Sequence, residues 1–238
     1  MMENTFSIRD NVLRIQNEIS EVCIKSGRKI ETVQLMAVSK FNTVEKMQEA
    51  YDAGLHLFGE NRVQEFLSKK EFFEKNIESH CHLIGQLQKN KVKYLPEITD
   101  FIQSVDSISL AQEINKQYSK NNSIANVLLE INIGNEKSKS GIPKIETLET
   151  IYRLAEFENI KVKGLMCIPP ICEGDEVRKH FYEMNKLFID IKGKNIDNIS
   201  MNTLSMGMSS DYKLAIEEGS TLVRVGTGIF GKRNYNKN

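Results

Sequence analysis

The 238-residue chain is 40% hydrophobic and 27% charged, enough apolar material for one large core. Its 32 Lys+Arg balance its 32 Asp+Glu, and a formal net charge of zero points away from nucleic acid or an acidic membrane as partner. Four scattered cysteines without C-x-x-C spacing argue against a disulfide framework or a closed zinc site. Residues Met1 to Thr5 open no apolar signal segment, and no apolar run is long enough to span a bilayer, so a cytoplasmic protein is expected.

In chain order, Ile8, Val12, Ile15, Ile19 and Val22 recur at helical spacing and predict an amphipathic N-terminal helix ending near Gly27. Leu35 to Ser39 reads as a first strand, followed by Lys40. Asn42 and Glu45 have the spacing of a capping box for a helix carrying Val44, Met47 and Tyr51 on its apolar face, with Gly54 as its stop. A second strand runs from Leu55 to Gly59, with Val63, Phe66 and Leu67 on the helix after it. A third, His82 to Gly85, precedes a short basic segment, Lys89 to Leu95, ended by Pro96. The fourth, Phe101 to Val105, leads to a helix with Leu110, Ile114 and Tyr118 inside, capped by Asp106 or Ser107. Val127 to Ile133 is the clearest strand. A loop from Gly134 to Gly141 follows, and Pro143 is expected to open a helix with Leu148, Ile151 and Ala155 inside. Val162 to Ile168 precedes a helix with Val177, Phe181, Met184 and Phe188. Thr203 to Met206, a brief helix around Tyr212 to Glu218, and Thr221 to Val225 complete the series. The tail, Asn234 to Asn238, is expected to fray.

Eight strands alternating with helices predict a single (β/α)₈ barrel domain over residues 1–238, preceded by one extra helix. An open doubly wound sheet is the competing reading, because alternation does not say whether the sheet closes. In a barrel, function gathers where the strands end, and phosphate commonly binds after strands seven and eight.

Lys40 sits on that rim, as either a solvated strand-end charge or an amine whose pKa burial lowers until it attacks an aldehyde. The run Arg224 to Gly231 contains G-x-G-x-x-G, but too little chain remains for a Rossmann unit. Its glycines admit backbone N–H groups close to an anion, and Thr227 adds a hydroxyl; a tight barrel-closing turn is the plainer reading. Ser205 to Asp211 opens a helix after strand seven, with Ser209 or Ser210 either its N-cap or part of a phosphate seat. Asn61 reads as a helix cap and His82 as a structural histidine. No metal-ligand set and no nucleophilic triad are visible.

The ordered series Leu35 to Lys40, Phe58-Gly59-Glu60-Asn61, His82 to Lys91, Ser104 to Ser107, Lys139-Ser140-Gly141, Gly164-Leu165-Met166, Leu204 to Asp211 and Arg224 to Gly231 resembles the pyridoxal 5′-phosphate homeostasis proteins (the YggS/PROSC family) over essentially the whole chain. That resemblance implies a barrel of the alanine racemase N-terminal domain type without its β-rich second domain. It implies that Lys40 holds pyridoxal phosphate as a Schiff base, with the phosphate against Ser209, Gly226 and Thr227 and the pyridine nitrogen facing Arg224. Asn61, His82 and Met206 would border the cofactor. The family's frequent aromatic before His82 is Cys81 here.

An arginine does not readily release a proton, so a pyridine nitrogen facing Arg224 is expected to stay unprotonated and the ring to be a weak electron sink. The implied role is therefore holding the cofactor, buffering it or delivering it to pyridoxal phosphate-dependent apoenzymes, as a monomer and with no catalytic residue. An amino-acid racemase using Lys40, and a phosphosugar barrel with a lysine Schiff base and no cofactor, are the alternatives.

Overall fold

The computed structural model describes residues 7–136 and 139–231; the expected tail, the N-terminal residues 1–6 and part of the Gly134 to Gly141 loop lie outside the described residues. Helix α1 (Ile8–Lys25) starts at a capping box in which the Ser7 hydroxyl accepts the Asp10 N–H and the Asp10 side chain answers the Ser7 N–H. It buries Ile8, Val12, Ile15, Ile19 and Val22, the predicted stripe. Strand β1 (Gln34–Val38) leads to α2 (Val44–Asp52), then β2 (Leu57–Glu60), α3 (Val63–Ser68), α4 (Lys70–Lys75) and β3 (His80–Leu83). A 3₁₀ segment over Lys89–Tyr94 precedes β4 (Phe101–Val105), α5 (Ile108–Lys120) and β5 (Ala125–Asn132). The two-residue β6 (Ile142–Pro143), α6 (Thr147–Ala155), β7 (Ile160–Met166), α7 (Asp175–Lys192), β8 (Ile199–Ser205), α8 (Tyr212–Glu217), β9 (Leu222–Val225) and α9 (Thr227–Phe230) complete the order.

Parallel pairing runs β1-β2-β3-β4-β5-β7-β8-β9 and returns from β9 to β1, so the sheet closes into an eight-stranded barrel and the open sheet is excluded. Strand β6 pairs with β5 outside this ring. Registers place Met36 beside Arg224, Val38 beside Gly59, Gly59 beside His82, and His82 beside Phe101. Side chains alternate across each strand. Leu35 and Ala37 pack outward with α1, whereas Met36, Val38, Ile84 and Leu222 form a separate small cluster on the inner face. Lys40 lies on the same parity as Met36 and Val38, just past the end of β1.

Two glycines are required by close approach. A Cβ on Gly164 would lie 1.8 Å from Thr203 O, where β7 meets β8, and one on Gly85 would lie 2.3 Å from Asn61 O, where the loop after β3 packs on the rim.

Several expected boundaries move. The N-cap of α2 is Thr43, not Asn42, whose amide instead donates to Lys40 O at 3.2 Å. Pro143 does open the helical segment, as the N-cap of a 3₁₀ turn over Lys144–Glu146 that runs into α6 at Thr147, while also pairing with Asn132 of β5. Val44, expected on the apolar face of α2, is exposed at the helix surface, as is Leu67 of α3. The N-cap of α3 is Arg62 rather than Asn61, and that of α8 is Asp211 rather than Ser209 or Ser210. No helix among the described residues is long and apolar enough to cross a membrane.

Candidate functional site

The rim residues come together because the strands carrying them are neighbours. Lys40 follows β1, whose partners are β2, leading into Asn61, and β9, leading into Gly226 and Thr227. Lys40 and Asn61 are half-buried, and Thr227 is exposed. Asn42, behind Lys40, is joined to its carbonyl as described above.

The loops after β8 and β9 converge on one hydroxyl. Ser209 Oγ accepts the N–H groups of Gly226 and Gly228, both at 3.3 Å. Asp211 Oδ1 accepts the Met208 N–H at 2.6 Å and fixes the preceding turn. From the other side, Asn11 Nδ2 of α1 donates to Ile229 O at 3.0 Å and Arg14 Nη2 to Gly228 O at 3.3 Å. Backbone donors and two hydroxyls thus gather where a phosphate would find N–H and O–H groups, with Asp211 engaged by the Met208 N–H.

Arg224 lies below them on the inner face, 4% exposed. Its Nη1 donates to Ser205 Oγ at 2.6 Å and its Nη2 to Cys167 O at 2.8 Å. No carboxylate among the described residues forms an ion pair with it. Glu130, also buried, is bound to Ser140 Oγ at 3.0 Å, and burial pushes its carboxyl pKa up. Burial pulls the Arg224 pKa down, yet a guanidinium remains cationic in proteins. A buried cation with two of its five N–H groups committed to neutral acceptors suits an acceptor atom on a ligand, which is the fit a pyridine nitrogen requires.

The chain of hydrogen bonds continues across the barrel. Ser205 Oγ donates to Gln103 Oε1 at 2.7 Å, and Gln103 Nε2 lies 2.8 Å from His82 Nδ1. His82 is 6% exposed and lies against Phe101, with ring centroids 4.6 Å apart. Burial lowers its pKa to about 4, so at neutral pH Nδ1 accepts from the amide and Nε2 carries the proton. His82 is therefore a buried link in this chain, one layer beneath the rim. Met206 is wholly buried in the core cluster between barrel and helices, and its N–H donates to Leu222 O at 3.2 Å; it secures the start of the Ser209 loop. Cys81 alternates with His82 and faces outward, away from the inner wall.

Residue reading by itself missed Gln103 and Ser205. A glutamine in the middle of the apolar run Phe101 to Val105 was the available signal, since a buried polar side chain requires a partner. A cavity of about 1030 Å³ opens at the opposite mouth, lined by strand-start residues such as Gln34, Leu57, Asn126 and Leu222 and also by His82, but not by Lys40, Asn61 or the Ser209 loop.

Residues 8–234 match the family model for the alanine racemase N-terminal domain. A pyridoxal phosphate homeostasis protein of Aquifex aeolicus (strain VF5) is 41% identical over 227 residues, covering 95% of this chain and 98% of its own. One from Escherichia coli (strain K12) is 38% identical, covering 97% and 98%. Among solved structures, PipY of Synechococcus elongatus PCC7942 with PLP bound superposes with a TM-score of 0.79 at 32% identity, over 90% of this chain and all of that one. The chain belongs to the pyridoxal phosphate homeostasis protein family, built on the alanine racemase N-terminal barrel.

Proposed function

We propose that this protein binds pyridoxal 5′-phosphate on the barrel rim, tethered to Lys40 as a Schiff base, and serves its homeostasis in the cytoplasm. It acts as a monomer that buffers the cofactor or delivers it to pyridoxal phosphate-dependent apoenzymes. The observation that carries this reading is the buried Arg224 guanidinium, ion-paired with no carboxylate among the described residues, beneath a rim that brings Lys40 and the Ser209 loop together. Full-length kinship with proteins of that role, and with one structure described with PLP bound, supports it.

When bound, pyridoxal phosphate supplies an aldehyde for reversible condensation with an amine and a ring that withdraws electrons. Lys40 presents the amine. Arg224 donates to the pyridine nitrogen and keeps a proton off it, because it does not give one up, and this limits electron withdrawal. Ser209, Gly226 and Thr227 hold the phosphate; Asn61 borders the cofactor at the rim, with His82 and Met206 supporting its walls. The site so arranged retains the cofactor rather than driving rapid chemistry on amino acids, and no catalytic residue is assigned.

The phosphate seat is tested by combining Ser209→Ala with Thr227→Val. Hydrogen bonds to a charged group contribute about 1.5–3 kcal/mol each, so affinity in an equilibrium titration is expected to fall by about tenfold or more. Unchanged affinity would refute the assignment.

A further inference from the structure

Lys40 is flanked on both sides by a buried charge cluster that the cofactor reading does not use. Ser39 and Glu60, at the ends of neighbouring strands β1 and β2, are both completely buried. Lys69, at the junction of α3 and α4, is 5% exposed. Its ammonium donates to Ser39 O at 2.9 Å, Glu60 Oε1 at 2.8 Å and Glu65 Oε1 at 3.0 Å. The Ser39 hydroxyl donates to the same Glu60 oxygen at 2.6 Å. Glu65 Oε1 also accepts the backbone N–H of Phe41. One lysine therefore grips the residue before Lys40, and its carboxylate partner grips the residue after.

The backbone shows what that grip imposes. Phe41 has φ of 63°, in the left-handed region that a bulky residue adopts only where its surroundings enforce it. Arg62 adds a contact from outside, its guanidinium carbon 6.0 Å from the centre of the Phe41 ring. Glu60 Oε2 is buried with no hydrogen-bond partner among the described residues, a cost the cluster carries while holding this turn. The Ser39 carbonyl accepts the third N–H of this buried ammonium, so the contact that completes its shell also fixes the residue before Lys40.

We propose that Lys69, together with Glu65, is a positioning residue for Lys40: it fixes the turn that aims the Lys40 amine at an incoming aldehyde. The inference rests on Lys40 as the tether and adds the device that orients it. Lys69→Met removes the grip on Ser39, and Glu65→Ala removes the acceptor of the Phe41 N–H. Two ligands separate orientation from general damage, because pyridoxine 5′-phosphate has the same phosphate and ring but no aldehyde. Each variant is expected to condense with pyridoxal phosphate tenfold or more slowly, while its affinity for pyridoxine phosphate changes less than twofold. In the cofactor-free protein, hydrogen exchange of the Phe41 amide should accelerate tenfold or more. Unchanged condensation, or equal losses for both ligands, overturns the proposal. Should Lys69→Met fail to fold, Glu65→Ala decides by the same measurements. A wild-type protein that binds neither ligand contradicts the cofactor reading instead, and Phe41 exchange then decides alone whether the cluster pins the turn.

Discussion

His82 illustrates how a single residue ties the site to stability. Its ring is buried and neutral, with a pKa lowered to about 4, against about 6.5 for a solvated histidine. Between those values the unfolded chain binds a proton that the folded chain does not, so stability rises with pH through this window and falls as pH drops from 6.5 toward 4. The loss is about 3 kcal/mol across the window for this one group. Urea unfolding at a series of pH values is expected to show it, and His82→Gln, which keeps a polar partner for Gln103, should flatten the slope. An identical slope in the variant would remove His82 as its source. At this scale the sequence was readable where chemistry is local and opaque where it is relayed. Lys40, Arg224 and Ser209 stand in recognisable runs, whereas Gln103, Ser205 and Lys69 acquire roles only when distant strands and helices bring partners within hydrogen-bond reach. Lys69 sits among charged neighbours, Ser68-Lys69-Lys70-Glu71, and nothing in that string marks it as buried.

Among the elements, α1 has the most to do beyond packing. Its inner stripe joins one core cluster with Ile229 and Phe230 of α9, so the extra helix lies behind the phosphate loop. It is tied to α8 as well. Burial alone would raise the Glu18 carboxyl, but donors from Tyr212, Lys213 and Arg14 outweigh it and hold the pKa at about 2. Asn11 is the direct link to the loop, through its bond to Ile229 O. Asn11→Ala is expected to lower stability by about 1 kcal/mol in urea unfolding and to weaken cofactor retention several-fold, because the loop bearing Gly226 loses its backing. No change in either quantity would mean that α1 is only a cover. The helical stripe of α1 was plain in the sequence because its spacing is local. Boundaries set by tertiary contact were not. Asn42 is drawn to Lys40 O and leaves Thr43 as the cap, and the segment after Pro143 begins as a 3₁₀ turn and becomes α-helical only at Thr147.

For the whole molecule, strand count and alternation were legible from residues 34–225, but closure was not. The ring closes through the β9–β1 pairing between Gln34 to Ala37 and Leu222 to Val225, residues nearly the full chain apart. That closure makes one rim of Lys40, Asn61 and the Gly226 loop, which no local pattern could assemble. The central claim is that this rim holds pyridoxal phosphate on Lys40, and the visible absorption spectrum of the purified protein mixed with the cofactor tests it most directly. A yellow Schiff-base band that appears in the wild type and is absent from Lys40→Ala is the predicted result; a protein that stays colourless and takes up no pyridoxal phosphate would contradict it.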